Sequence, residues 1–293
     1  MIGRFAPSPS GPLHFGSVVT AVASYLDARA AGGRWLLRID DLDPARIEAG
    51  ATVAILRTVE ALALTWDGPV VYQSARGPAY AEALAQLRGD RHTYPCSCSR
   101  REIGAGPYPG TCRLSAQAPT RAAAERVVVG ADEVVVDDLI QGRYVQPLAA
   151  YCGDFVVRRA DRVYAYHLAV VVDDAAAGVT QVTRGADLLE STPRQIHLQR
   201  LLGLPTPVYA HLPLVLDAHG DKLSKQTRAR PIGAADAAQA VFHALAFLGL
   251  AVPVVARGAR PVELLAWALP RWCLDHIRPA PRPYRYPDCS GVG

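Results

Sequence analysis

Lysine occurs only twice in these 293 residues, at Lys222 and Lys225 within Asp221-Lys222-Leu223-Ser224-Lys225-Gln226; the other 29 basic residues are arginines. A compact, strongly hydrated ammonium on a flexible stem does work that a planar guanidinium cannot, and binding of phosphate oxygens is the obvious candidate. A second string near the N-terminus points the same way. Arg4-Phe5-Ala6-Pro7-Ser8-Pro9-Ser10-Gly11-Pro12-Leu13-His14-Phe15-Gly16-Ser17 reads as a loop in which proline and glycine bar regular structure. It feeds a predicted helix from Val18 to Ala31, capped by Ser17 and closed by Gly32-Gly33. A glycine-punctuated turn that leaves N–H groups free at a helix N-terminus is an anion site, and His14 stands just before it.

Leu13-His14-Phe15-Gly16-Ser17 resembles the HIGH signature of class I aminoacyl-tRNA synthetases, and Lys222-Leu223-Ser224-Lys225-Gln226 resembles their KMSKS signature, in the right order and separation. Three longer strings are similar to the glutamyl branch of that family: Arg4 to Gly11, Leu37-Arg38-Ile39-Asp40-Asp41-Leu42-Asp43-Pro44-Ala45-Arg46, and Arg184-Gly185-Ala186-Asp187-Leu188-Leu189. The resemblance covers roughly residues 2 to 230. Only residues 226 to 293 follow the lysine loop, enough for a small helical appendage and too few for a large anticodon-binding region. With Cys96-Ser97-Cys98, Tyr108 and Cys112, that shortness is similar to the glutamyl-queuosine tRNA(Asp) synthetases.

The resemblance implies a chemistry. Glutamate's α-carboxylate attacks the α-phosphorus of ATP and expels pyrophosphate, and glutamate is then placed on the queuosine base of tRNA(Asp). Charge builds on phosphate oxygens in the first step, so positioned cations and donors accelerate it. By resemblance Lys225, assisted by Lys222, works on one side of the triphosphate, with His14 and the Gly16 amide on the other and Mg²⁺ carried in with the nucleotide. Arg4 and Arg184 hold the substrate carboxylate, for which guanidinium supplies paired donors. Phe5, Ala6, Pro7, Ser8 and Tyr166 complete the pocket, and Asp40 takes the ammonium. The branch commonly has glutamate at the position of Asp40; Asp41 or Asp43 is the alternative anion. Arg38 and Asp43 also read as members of a structural ion pair, and Tyr166 as a core aromatic.

Cys96, Cys98 and Cys112 lie in a segment rich in glycine and proline, with too little apolar material to fold by burial alone. Thiolates select zinc, and three sulfurs need a fourth ligand. The resemblance supplies Tyr108; His92 or water is the alternative. One structural Zn²⁺ per chain is expected, shaping the part of the protein that meets tRNA. The six cysteines, at 96, 98, 112, 152, 273 and 289, form no secreted disulfide pattern.

The elements that must position these groups read as α/β. Trp35–Ile39, Val70–Tyr72, Phe155–Arg158 and Leu168–Val172 are strand-like runs among helix-like segments. No G-x-G-x-x-G or Walker A string occurs. The expected architecture is a class I Rossmann-like nucleotide-binding fold: its first half at residues 1–95, a zinc-bearing insertion at 96–150, its second half with the lysine loop at 151–230, and a C-terminal helical region at 231–293. There Val241, Ala244, Leu245 and Leu248 have the spacing of a packed helix face. Half the residues are hydrophobic, yet no apolar run reaches the ~20 residues needed to span a bilayer. No signal peptide precedes Arg4, and a cytoplasmic monomer is expected. A formal charge of +4 is mild, so an RNA-binding patch has to be local; Arg158, Arg159, Arg162, Arg228 and Arg230 are candidates. The competing readings are a minimal glutamyl-tRNA synthetase charging tRNA(Glu), a small-molecule ligase, and a zinc-bearing RNA-binding module without catalysis.

Overall fold

Alternating short strands and helices build two sheets that meet edge to edge. The computed structural model describes residues 1–115, 119–217, 220, 230–280 and 282–283. Along the first half of the chain lie β1 (Ile2–Phe5), α1 (Phe15–Ala30), β2 (Arg34–Ile39), α2 (Ala51–Ala61), β3 (Val71–Tyr72) and α3 (Gly77–Gly89). Next come β4 (Thr93–Cys96), the one-turn α4 (Arg100–Ile103), β5 (Ala124–Val127), β6 (Glu133–Asp138), β7 (Gly142–Pro147), the one-turn α5 (Leu148–Tyr151) and β8 (Phe155–Arg158). The second half has α6 (Tyr166–Ala176), β9 (Gln181–Gly185), α7 (Thr192–Leu202), β10 (Val208–Leu212), β11 (Val215–Leu216), α8 (Ala237–Phe247), α9 (Pro261–Ala268) and β12 (Arg282–Pro283).

Strands β1, β2 and β3 form a parallel sheet in that order. A second sheet runs β7-β6-β10-β9, parallel except for the β6–β7 hairpin. The Thr180 N–H donates to the Ile2 carbonyl at 2.9 Å, which sets the start of β9 beside the start of β1. The carboxyl ends of β1, β2 and β9 therefore open on one crevice where strand order reverses, the usual ligand position in an open α/β sheet. A third sheet, β4-β5-β8, is antiparallel.

Helix α1 is the keystone. Val18, Val19, Val22 and Leu26 are fully buried because sheet residues lie on one side and the C-terminal helices on the other. The Phe15 and Phe247 rings meet edge to face at 6.5 Å, so α8 is a packing helix, as its spacing predicts. Asp27 of α1 accepts from Thr183 (2.7 Å) and Gln181 (2.5 Å) of β9 and from the Trp272 indole (3.3 Å), which ties three distant parts of the chain together. Burial outweighs those three donors and raises the Asp27 carboxyl above the usual range.

Two local expectations are corrected. Helix α1 begins at Phe15, three residues before the predicted start, and its cap is His14, whose ring Nδ1 accepts from the Ser17 N–H at 3.3 Å; Ser17 lies within the first turn. Leu168–Val172 is not a strand but the middle of α6. A run of five apolar residues has no periodicity to separate the two, and four of them, Leu168 to Val171, are buried.

Candidate functional site

One open cavity of about 720 Å³ occupies the crevice at the carboxyl ends of β1, β2 and β9. Arg4 and Phe5 come from β1, Ala6, Pro7 and Ser8 from the loop after it, His14 from the cap of α1 and Gly16 from its first turn. Asp40 follows β2, Tyr166 opens α6, and Arg184 is the penultimate residue of β9. Every residue predicted for glutamate thus lines this cavity, as do His14 and Gly16. The Asp40 N–H donates to the Pro7 carbonyl at 3.0 Å and the Glu48 N–H to Pro9 at 2.9 Å, which staples the proline loop across the end of β2. Tyr166 is 37% exposed, facing the cavity instead of the core. Lys222 and Lys225 lie outside the described residues, as does Arg228.

The cavity wall is a lattice of buried charges. The Arg4 Nε–H is 3.3 Å from both Asp174 oxygens, the Arg38 Nη1 donates to Asp174 at 2.5 Å, and the Arg38 Nε–H donates to Asp40 at 2.7 Å. Burial pushes the Asp174 carboxyl up, but Arg4 and Arg38 outweigh it and hold it below the usual range. At Asp40 burial wins over Arg38 and the carboxyl sits above that range. Next to it Asp173 accepts from Gln73 (2.9 Å), Arg76 (3.1 Å) and Tyr80 (2.7 Å), locking α6 against the segment after β3. The alternative anions are spent elsewhere: Asp41 accepts both donors of Ser74 (2.8 and 2.7 Å), and Asp43 pairs with Arg159 at 3.1 Å.

Arg184 is placed differently. It is 4% exposed, and its partners are all neutral: His211 Nε2 (3.1 Å), Thr192 Oγ1 (2.8 Å) and Gln195 Oε1 (2.7 Å). Its Nη1 is buried with no partner among the described residues. A buried cation without a counter-charge is costly, and an entering carboxylate relieves that cost.

Away from these strands in sequence, Cys96 ends β4 while Cys98 and Cys112 flank a loop; the three Sγ atoms lie within 4.8 Å of one another. The Tyr108 hydroxyl is 3.3 Å from Cys96 Sγ and 3.6 Å from Cys98 Sγ, so three thiols and a phenol converge. Three convergent sulfurs at this spacing could hold a metal ion. His92 is not in that group. Burial raises the Cys112 thiol, but hydrogen bonds from Tyr108 and Cys98 bring it down to about 7. The knuckle docks through Gly153: Tyr108 N–H donates to the Cys152 carbonyl at 3.0 Å, and a Cβ on Gly153 would lie 2.2 Å from the Tyr108 oxygen. Cys152 stays outside the cluster, a thiol raised by burial.

Residues 1–107 and 115–252 match the catalytic domain of the class I tRNA synthetases for E and Q. The chain is 52% identical over 284 residues to the glutamyl-Q tRNA(Asp) synthetase of Thiobacillus denitrificans, covering 94% of each. The chain belongs to the glutamyl-Q tRNA(Asp) synthetase family. The member from Dechloromonas aromatica is also 52% identical, over 286 residues covering 94% of this chain and 95% of its own. In fold the chain is similar to a crystallised glutamate tRNA ligase from Elizabethkingia meningosepticum, with TM-score 0.82, 24% identity and coverage of 98% of this chain and 67% of that one.

Sequence reasoning missed the family fold's deeper wall. Asp173, Asp174, Thr192, Gln195 and His211 escape any short motif, yet one signal was present: two adjacent aspartates in the apolar run from Leu168 to Ala177 have to be paired where they are buried. Arg158, Arg159 and Arg162 cluster on the turn after β8, where Arg159 also pairs with Asp161 at 2.6 Å and lines a second cavity of about 420 Å³ next to Asp40. Arg230 pairs with Asp236 at 2.9 Å. No helix among the described residues is long and apolar enough to cross a membrane.

Proposed function

We propose that this family member activates L-glutamate with ATP, without tRNA, and transfers it to the queuosine base of tRNA(Asp). In the first step a glutamate α-carboxylate oxygen bonds to the α-phosphorus as the bond to pyrophosphate breaks. In the second a base hydroxyl attacks the activated carbonyl and AMP leaves. Arg184 receives the side-chain carboxylate together with Arg4, Asp40 takes the ammonium, and Ser8, Tyr166 and the Phe5–Pro7 backbone shape the pocket. His14 and the Gly16 amide cradle phosphate at the start of α1, where the helix favours negative charge. Lys222 and Lys225 supply cations on the other side of the triphosphate, and Mg²⁺ enters with ATP.

What supports this reading above all is a single crevice that joins an uncompensated guanidinium, Arg184, a raised carboxyl, Asp40, and a helix N-terminus. An amino acid with a second carboxylate satisfies the first two, and a triphosphate the third. Cys96, Cys98, Tyr108 and Cys112 would hold one Zn²⁺, whose role is to fold a loop that has little core of its own. Zinc supplies no chemistry to the transfer; it positions the surface that meets tRNA. The enzyme acts as a cytoplasmic monomer.

The test uses ATP, labelled glutamate and three RNAs: tRNA(Asp) carrying queuosine, its unmodified transcript, and tRNA(Glu). Label on the modified tRNA(Asp) alone is the expected result. Label on tRNA(Glu), blocked by oxidising its 3′ ribose, would overturn the reading in favour of a minimal glutamyl-tRNA synthetase.

A further inference from the structure

Three neighbouring strands of the second sheet carry Asp138, His211 and Arg184 in a row. Asp138 ends β6, His211 sits near the end of β10, and the β9–β10 register sets His211 directly beside Arg184. His211 is wholly buried and touches both neighbours: its Nδ1 is 2.5 Å from Asp138 Oδ2, and its Nε2 is 3.1 Å from the Arg184 Nε.

Donor chemistry fixes the proton. A guanidinium has five N–H groups and no acceptor, so at the Arg184 contact His211 Nε2 must be the bare nitrogen. The proton of the neutral ring therefore sits on Nδ1 and is donated to Asp138. Backbone donors hold that carboxylate in place to receive it. The Ile140 and Gln141 N–H groups donate to its Oδ1 at 3.0 and 2.8 Å, and the His211 N–H reaches both oxygens at 3.1 Å. At the far end the Arg184 Nη2 is clamped by Thr192 and Gln195, leaving Nη1 without a partner among the described residues.

We propose that Asp138 and His211 are positioning residues for substrate carboxylate: they lock the histidine as the Nδ1–H tautomer, and that tautomer aims Arg184 without neutralising it. A carboxylate in the place of His211 would hold the guanidinium equally well but would cancel the charge on which substrate binding depends. Arg4 shows the contrast, since its Nε is already given to Asp174. Among the described residues no carboxylate forms an ion pair with Arg184. The relay thus makes Arg184, more than Arg4, the carboxylate receptor. This inference rests on the proposed function for the identity of the ligand, but not for the state of the histidine.

Two measurements decide it. The first is glutamate-dependent ATP–pyrophosphate exchange by the full-length protein. In Asp138→Asn the single remaining oxygen is claimed by the Ile140 and Gln141 N–H groups, so the amide NH₂ faces His211 Nδ1 and drives the ring proton to Nε2, against the Arg184 donor. The KM for glutamate is expected to rise about tenfold, with the KM for ATP unchanged within about twofold. His211→Leu, which removes the acceptor, should do the same. His211→Gln, whose amide can accept from Arg184 and donate to Asp138, should restore the KM to within about threefold of wild type. Equal changes in both KM values, or no rescue by glutamine, would mean a merely structural role. The second measurement is ¹⁵N-histidine NMR of the wild-type protein, expected to show His211 with a protonated Nδ1 and a bare Nε2. The opposite tautomer overturns the relay, even if the wild type proves not to activate glutamate; failure of exchange by the wild type with the expected tautomer present overturns the functional reading instead.

Discussion

The carboxylate pocket and the cysteine knuckle both hold polar groups at fixed positions, but by opposite means. The pocket is walled by buried ion pairs and hydrogen bonds that the protein completes itself: Arg4 and Arg38 on Asp174, Arg38 on Asp40, and three donors on Asp173. Two guanidinium nitrogens of the wall, Arg184 Nη1 and Arg38 Nη2, have no partner among the described residues, and only Arg184 also lacks a carboxylate beside it. The knuckle has no such surplus of partners. Leu114, two residues after Cys112, is 80% exposed, and the loop is held by the thiols, by Tyr108, by an Arg113–Asp154 ion pair at 3.1 Å and by Arg126, whose guanidinium carbon lies 4.0 Å from the Tyr108 ring centroid and whose Nε–H points at Cys96 Sγ at 3.2 Å. Preorganisation in the pocket comes from packed sheet and helix; in the knuckle the proposed zinc would supply it. The first should survive loss of metal and fail on loss of a single cation, and the second should do the reverse.

The sharpest break is Arg184→Ala. It removes a buried cation that no carboxylate among the described residues pairs, so glutamate-dependent pyrophosphate exchange is expected to lose about 10³-fold in kcat/KM, with the KM for ATP little changed. Equal losses for ATP and glutamate would show that the pocket is not preorganised for the carboxylate. The matching change on the other side is Cys112→Ser. Zinc affinity, read by a chromophoric chelator, should fall about 100-fold or more, since even outer-shell changes cost 10- to 100-fold. Glutamate activation should stay within about twofold, because distant sites act independently. A collapse of activation on removal of zinc would erase the distinction between the two regions.

What the sequence could and could not disclose follows the same division. Arg4, Asp40 and Arg184 were legible because each lies in a string with a recognisable pattern, Tyr166 came by resemblance without such a string, and all four line the cavity. The cysteines were legible because C-x-C followed by a third cysteine in a glycine-rich loop has few other physical explanations. The parallel sheet could be expected from strand and helix alternation. The pocket's supports could not. His211 meets Arg184, and Asp138 meets His211, only because β6, β10 and β9 lie side by side, while Thr192 reaches Arg184 from the start of α7; register between strands remote in sequence is a tertiary fact. The strand-like reading of Leu168–Val172 failed for a related reason: uniform burial removes the periodicity from which an element is read.

Gly153 probes the seam between the two regions. Its φ of +63° is the left-handed region, and a Cβ there would come within 2.2 Å of the Tyr108 carbonyl oxygen. Gly153→Ala is therefore expected to lower Tm by about 3–8 °C, from a strain of about 1–2 kcal/mol plus the overlap, and to weaken zinc binding while exchange persists. A Tm unchanged within error would show that the knuckle is not docked through this glycine.

The smallest effect is an acid slope, and it separates the regions by proton count. Burial, with the charges of Arg194 and Arg184 adding to it, lowers the His167 pKa to about 3, and its Nδ1 is buried without a partner. His197, His211 and His243 are also lowered, each chiefly by burial. A histidine whose folded pKa lies below its unfolded value of about 6.5 binds fewer protons when folded, so its contribution is fully present above pH 6.5 and is lost as pH falls toward the folded value, near 3 for His167. The knuckle also weakens in acid, because protons compete with zinc for the cysteine sulfurs. Stripping the metal first removes that second cause. In metal-free protein Tm should still fall between pH 7.5 and 5.5, and the fall should be shallower in His167→Gln, which cannot take up the proton. An identical slope in the two proteins would assign the acid sensitivity to other groups and leave His167 as a packing residue alone.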